Sequence, residues 1–337
     1  MLSRVAESIY WMSRYIERAE NVARVIDVNL HLMLDLPLDG DEQWAPLVNT
    51  MGDEAIFRDR YGEPTQDNVI RFLTFDADNP NSIVSCLRSA RENARQVRDA
   101  ISSEMWEQAN RFYLMVRAAA AQYEAMDSPN VFYNDVKMAS HLFGGITDAT
   151  MSHNEGWHFG QLGRLFERAD KTARILDVKY FIVLPGVEYV GTPYDEIQWS
   201  ALLKSVSAFE MYRKKHRGVR PDPVAAFLIL DRQFPRSMQS CLYKGQWSLH
   251  QITGTPISSF RNLAEQRLGR LRAEMDYTSI DEIVAEGLHE YLDGFQARLN
   301  EVGHAVGETF FGYPPSRPAA PAPAAAIGAT DDVQLQA

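Results

Sequence analysis

RYIERAENVARVIDVN, residues 14–29, returns as RLFERADKTARILDVK, residues 164–179, and eight of the sixteen positions are identical. The offset of 150 becomes 155 after a short insertion and then holds. Gln43-Trp44 answers to Gln198-Trp199, Phe72-Leu73 to Phe227-Leu228, Asp76 to Asp231, and Pro80 to Pro235. Ser82, Ser85, Cys86 and Leu87 recur as Ser237, Ser240, Cys241 and Leu242. A register kept through Trp, Pro and Cys is the mark of an internal repeat. The chain therefore reads as a tandem duplication, with a first helical repeat over 1–150 and a second over 151–313 packed on it as one unit. Residues 314–337, rich in Pro and Ala, read as a disordered tail.

On a helical wheel Met12, Tyr15, Ile16, Ala19, Val22, Ala23 and Ile26 share one arc. Ser13, Glu17, Glu20, Arg24 and Asp27 form a second, narrower arc flanked by Arg14, Arg18 and Asn21. Between the copies Arg14/Arg164, Glu17/Glu167, Arg18/Arg168, Arg24/Arg174 and Asp27/Asp177 keep their identities, while Tyr15/Leu165 and Ile16/Phe166 drift. A solvated face would exchange Arg for Lys and Glu for Gln freely. These ten charged residues are thus expected either to meet across the repeats as buried pairs, or to line a pocket for an anionic ligand. The small residues Ser13 and Gly163 permit close approach in either case.

The rest of the chain is predicted to be helical nearly throughout, giving an all-α, internally duplicated bundle with pseudo-twofold symmetry. Residues 82–113, 134–152, 258–275 and 280–303 carry apolar side chains at spacings of three and four among good helix formers. Breaks are expected at 36–40, near Glu63-Pro64, at 78–81, at 127–130 and at Pro185-Gly186. Asp78 or Asn79 before Pro80 is the expected helix start.

Of 337 residues, 45% are hydrophobic and 23% charged, enough for a substantial core. The net charge of −11 argues against general nucleic-acid binding. Two cysteines, Cys86 and Cys241, do not make a disulfide scaffold, and their apolar neighbours read as core packing. The amphipathic start lacks the apolar core of a signal peptide, and no run approaches the roughly 18 apolar residues of a membrane span. The chain reads as cytoplasmic and not associated with membranes.

These segments resemble the alpha-E proteins, helical proteins with a characteristic Glu-Arg pair. The resemblance rests on residues 1–27, on 89–110 (SARENARQVRDAISSEMWEQAN), on 156–178 (GWHFGQLGRLFERADKTARILDV) and on 227–242 (FLILDRQFPRSMQSCL). The motif falls on Glu17, Arg18, Glu167 and Arg168. The family is associated with circularly permuted ATP-grasp proteins, sometimes in one polypeptide, and with transglutaminase-like proteins. ATP-grasp enzymes join carboxylates to amines through an acyl-phosphate. The resemblance thus implies an accessory or substrate-handling component of peptide or amide ligation, with those two proteins as partners.

Arg91, Arg95 and Arg98, at spacings of four and three, form a further row that either faces solvent or contacts an anion or partner. His153 and His158 do not complete a metal set, and no phosphate-cradling glycine loop occurs, so no metal or cofactor is expected. Three functional readings follow. The first is a ligand-binding subunit, non-catalytic alone. The second is a scaffold in which the Glu-Arg set is a salt-bridge network. The third is an enzyme with Glu17 or Glu167 as acid or base, disfavoured because an adjacent Arg depresses the carboxyl pKa.

Overall fold

The first helix, α1 (Ser3–Asp35), is apolar along one arc and charged along another, and both arcs are buried. Met12, Ile16, Ala19, Val22, Ala23 and Ile26 are enclosed, and so are Glu17, Glu20, Asn21, Arg24 and Asp27. A helix buried all round must lie at the centre of a bundle, and α1 does. The structure, a computed structural model, describes residues 1–35, 44–51, 54–122, 129–181 and 192–312. Every regular element among them is helical, and the class is all-α.

Helices α2 (Ala45–Met51), α3 (Glu54–Tyr61) and α4 (Gln66–Ile70) lead into a π-turn over Arg71–Phe75. Three longer helices follow, α5 (Ile83–Gln96), α6 (Ser103–Ala120) and α7 (Pro129–Thr150). The second central helix, α8 (Glu155–Phe181), precedes α9 (Pro193–Ser205), α10 (Phe209–Lys215) and α11 (Pro221–Leu230). The chain continues through α12 (Met238–Thr253), α13 (Leu263–Tyr277), α14 (Ile280–Glu286) and α15 (Leu288–Val306).

Helix α1 packs on α8 along the centre. On one side α5 and α7 cover α1, with α6 between them; on the other α12 and α15 cover α8, with α13 between them. The short helices cross over: α2 packs on α8 and α9 on α1. One core of buried side chains runs through the whole.

Local chemistry also recurs at aligned positions. Ser82 caps α5 by accepting from the Ser85 amide (3.2 Å), and Ser237 caps α12 by accepting from the Ser240 amide (3.1 Å). Each cap hydroxyl donates to the carbonyl of the preceding aspartate, Asp76 or Asp231. Each following thiol points at the proline carbonyl, Cys86 at Pro80 (3.7 Å) and Cys241 at Pro235 (3.5 Å).

Several helix boundaries differ from expectation, among them the helix expected at 134–152, which runs over Pro129–Thr150. The span 82–113 is two helices, because the chain turns after Gln96 and Ser102 recaps α6 by accepting from the Met105 amide. The span 280–303 is interrupted at Gly287, whose φ of +108° only glycine adopts readily. The helix placed at 258–275 begins at Leu263, where the Asn262 side chain accepts from the Glu265 amide. The start of α5 is likewise not at Asp78 or Asn79. Asn79 instead bonds the Asn81 amide and the Phe72 carbonyl inside the preceding loop, and Ser82 is the cap. The breaks at 36–40 and Pro185-Gly186, the first half of that at 127–130, and the tail at 314–337 lie outside the described residues.

Candidate functional site

Helices α1 and α8 run side by side in the same direction. The Met1 amino group meets Glu155 Oε2 at 2.8 Å near one end. Further along, Gly163 lies so close to α1 that a Cβ there would sit 2.2 Å from the Tyr10 carbonyl oxygen. A Cβ on Gly160 would come within 3.2 Å of Ser13 Oγ. Helix backbones this near bring the next turns, which carry Glu-Arg, into direct contact.

There the charges interlock reciprocally. Glu167 accepts from Arg18 Nε at 2.6 Å and Arg18 Nη2 at 3.0 Å, and from Arg14 Nε at 2.9 Å. Glu17 accepts from Arg168 Nε at 2.9 Å and Nη2 at 2.7 Å. Both carboxylates are sealed from water, at 0% and 2% exposure. Burial alone would raise their pKa, but the arginines outweigh it. Arg18 and Arg14 hold Glu167 well below the usual carboxylate range, and Arg168 and Arg236 hold Glu17 below it. The guanidiniums are stabilised in turn: although burial works against them, Arg18 and Arg168 are shifted upward, chiefly by Glu167 and Glu17.

The structure thus brings Arg14, Glu17, Arg18, Glu167 and Arg168 together and disperses the other five. Arg24 Nε binds Glu20 at 2.8 Å, its Nη1 binds Ser207 Oγ at 2.5 Å, and its Nη2 lies 2.9 Å from His141 Nε2. Asp27 pairs with Lys137 at 2.7 Å. Arg174 pairs with Asp170 on its own helix, and Asp177 meets His289 at 2.8 Å. Among the described residues Arg164 makes no ion pair, although Glu17, Asp148 and Glu20 act on it at longer range: its Nη2 donates to Gln161 Oε1 at 2.5 Å, while its enclosed Nε has no hydrogen-bond partner there.

Arg91 and Arg95 lie on α5, away from this lock. Arg91 donates to Asn110 and Glu92 and stacks over Trp106 and Tyr113, and Arg95 pairs with Glu92. Arg98 belongs to the turn beyond α5, not to its face, and covers Trp106. Both thiols are buried and pushed up to about 11 by desolvation. Among the described residues no group of three or more His, Cys, Asp or Glu is placed to hold a metal ion.

Beside the lock, a cavity of about 260 Å³ opens between α1, α7 and α8. Glu17, Glu20, Arg164 and Arg168 line it, with Ser140 and His141 from α7. Glu20 accepts from Ser140 Oγ at 2.6 Å and from Arg24 and Arg236. Arg236, just before α12, also donates to Glu17 Oε1 at 3.0 Å and Asn21 Oδ1 at 3.1 Å. Sequence comparison of the repeats passes over Arg236 because its aligned residue is Asn81, and over Ser140 and His141 because the ends of the repeats match weakly. The exchange of a neutral side chain for an arginine between otherwise aligned loops was the available signal.

Residues 1–311 match the model of the Alpha-E family, described as a predicted alpha-helical domain with a conserved ER motif. The paired Glu17-Arg18 and Glu167-Arg168 are two such ER dipeptides. Uncharacterised proteins of Mycobacterium bovis and of two strains of Mycobacterium tuberculosis are 24% identical over 340 residues. The similarity takes in 92% of this chain but only 37% of each relative, so the chain spans little over a third of their length. No solved structure matches the chain.

Proposed function

Because the chain belongs to the Alpha-E family, we propose that it is a binding module, non-catalytic by itself, which handles a carboxylate-bearing substrate for a cytoplasmic amide- or peptide-ligating system. The catalytic partner in this reading is a circularly permuted ATP-grasp protein, acting alongside a transglutaminase-like protein. The ER pairs lock α1 to α8, and the cavity they border receives the ligand.

One observation carries the reading. The motif carboxylates are spent on arginines, whereas Arg164 borders the cavity with an enclosed Nε that nothing accepts from. That Nε is closed to a ligand, but among the described residues the guanidinium as a whole is held only by the neutral Gln161 oxygen, and a carboxylate entering the cavity supplies the charge-assisted partner it lacks. The saturated, pKa-depressed Glu17 and Glu167 make poor proton acceptors near neutrality, which weighs against an independent acid-base enzyme. The mycobacterial relatives, in which the similar region is a minor part of a longer chain, favour a module that works beside other domains. Among the described residues no helix is long and apolar enough to cross a membrane.

Reconstitution tests this. An ATP-grasp partner that co-purifies with the protein is expected to consume ATP and form an amide faster when the protein is present. Arg164→Gln should remove that enhancement without lowering the melting temperature. Full ligation by the partner alone, or amide turnover by this protein alone, would refute the proposal.

A further inference from the structure

The two carboxylates of the lock are served unequally. Around Glu167, Arg18 binds two-pronged and Arg14 takes the third place. Around Glu17, Arg168 binds two-pronged, but the third place belongs to Arg236 and not to Arg164, the aligned counterpart of Arg14. Asn81, aligned with Arg236, only accepts a bond from Arg18 Nη1 at 3.0 Å. Arg236 thus does for Glu17 what Arg14 does for Glu167, and Arg164 is left over.

The leftover arginine is held at the cavity. Its Nη2 is fixed by Gln161 Oε1, whose Nε2 donates to Asp148 Oδ1 (3.4 Å), and Asp148 also accepts from Trp157 Nε1 (3.2 Å). Gly144 keeps room for the guanidinium, since a Cβ there would lie 3.2 Å from Arg164 Nη1. Burial and the neighbouring Arg168 lower the pKa of Arg164 against the attraction of Glu17, Asp148 and Glu20, and among the described residues none of these carboxylates comes within ion-pair distance of it. Glu17 and Glu20 are already matched by Arg168, Arg236 and Arg24. Against Arg24, Arg164, Arg168 and Arg236 stand Glu17, Glu20 and Asp148, which also lines the cavity, so one positive charge is in surplus beside a space of about 260 Å³, which suits one carboxylate on a small organic body.

We infer that Arg236 is a positioning residue that gives each chain one carboxylate site: by taking the third place on Glu17, it releases Arg164 to bind a small monocarboxylic acid in the cavity between α1, α7 and α8. This rests on the reading of the cavity as a ligand site and names the ligand class and the residue that creates it. If Arg236 were an asparagine like Asn81, Arg164 would turn to Glu17 as Arg14 turns to Glu167, and the site would close.

Calorimetric titration with benzoate at constant ionic strength, with benzylamine as the cationic control, tests it. The wild type is expected to bind one benzoate per chain and no benzylamine. Arg164→Gln should abolish binding, and Arg236→Asn should weaken it at least tenfold. Arg236→Lys keeps a positive group beside Glu17 and Glu20, so it serves even where Arg236→Asn does not fold. A lysine cannot reproduce the fork that reaches Glu17, Glu20 and Asn21 together, and benzoate binding should weaken about three- to tenfold. Benzoate bound by the wild type and equally well by a folded Arg236→Asn or by Arg236→Lys overturns the role of Arg236 and leaves the ligand site standing. A wild type that binds no benzoate overturns both the inference and the ligand half of the proposed function, while the reconstitution above still judges the partner half.

Discussion

Glu167→Gln replaces the most enclosed acid of the lock with a side chain of nearly the same shape. The amide keeps the volume but cannot accept three charge-assisted bonds from Arg14 and Arg18, whose side chains are only 16% exposed. Removing one partner of a buried ion pair strands the other charges, at a cost of about 3–5 kcal/mol. An unfolding entropy of about 2.1 cal/mol/K per residue over roughly 300 ordered residues converts this into a fall in Tm of about 5–8 °C. Thermal unfolding followed by far-ultraviolet circular dichroism at pH 7 measures it. The loss should persist in 1 M NaCl, because salt screens enclosed pairs weakly. Acid provides a second readout. The folded state holds the Glu167 pKa well below its unfolded value, so this stabilisation is complete above the ordinary glutamate pKa and drains away as pH falls beneath it. Between about pH 5 and 3 the wild type should therefore lose more Tm than the variant, and the gap should narrow. A variant within 1 °C of the wild type at pH 7, or a deficit erased by salt, would refute the buried lock.

Gly163→Ala should cost about 1–3 kcal/mol in urea denaturation, because its Cβ meets the α1 backbone at the Tyr10 carbonyl. Gly145→Ala, on α7 with nothing within 4 Å of the new Cβ, should instead gain up to about 1 kcal/mol from helix propensity. Ser82→Ala and Ser237→Ala should each lose about 1 kcal/mol by the same assay as α5 and α12 lose their caps. Cys86 and Cys241, buried with thiols pushed up to about 11, should resist a disulfide reagent at pH 8 in the native protein, and both should react once it is unfolded in guanidinium.

Much of this architecture can be read before any coordinates. The apolar arc from Met12 to Ile26 is buried as its spacing requires, and the class is all-α. The held charges at Arg14, Glu17, Arg18, Glu167 and Arg168 also stood out, because they kept identity where neighbouring core positions drifted. Helix ends were less legible. Ser102, Ser82 and Gly287 set boundaries through one hydrogen bond or one positive φ, and periodicity runs straight across such points. Arg24, Asp27, Arg174 and Asp177 share the lock's pattern but not its partners, since each finds its counter-charge elsewhere: on its own helix, on α7, or, for Asp177, on α15.

By itself the sequence determined the helices, the repeated register and the residues that could not be exchanged, because these follow from local propensity and from side-chain chemistry along one chain. Only the tertiary structure decided which acid each arginine serves. That choice depends on how near α1 comes to α8 at Gly163, and on a loop residue, Arg236, arriving from more than two hundred positions away to reach Glu17 and Glu20. Coulomb attraction inside a dry interior falls with distance in three dimensions and takes no account of separation along the chain. For that reason the pairing of Arg236, and with it the unpaired Nε of Arg164, belongs to the fold alone.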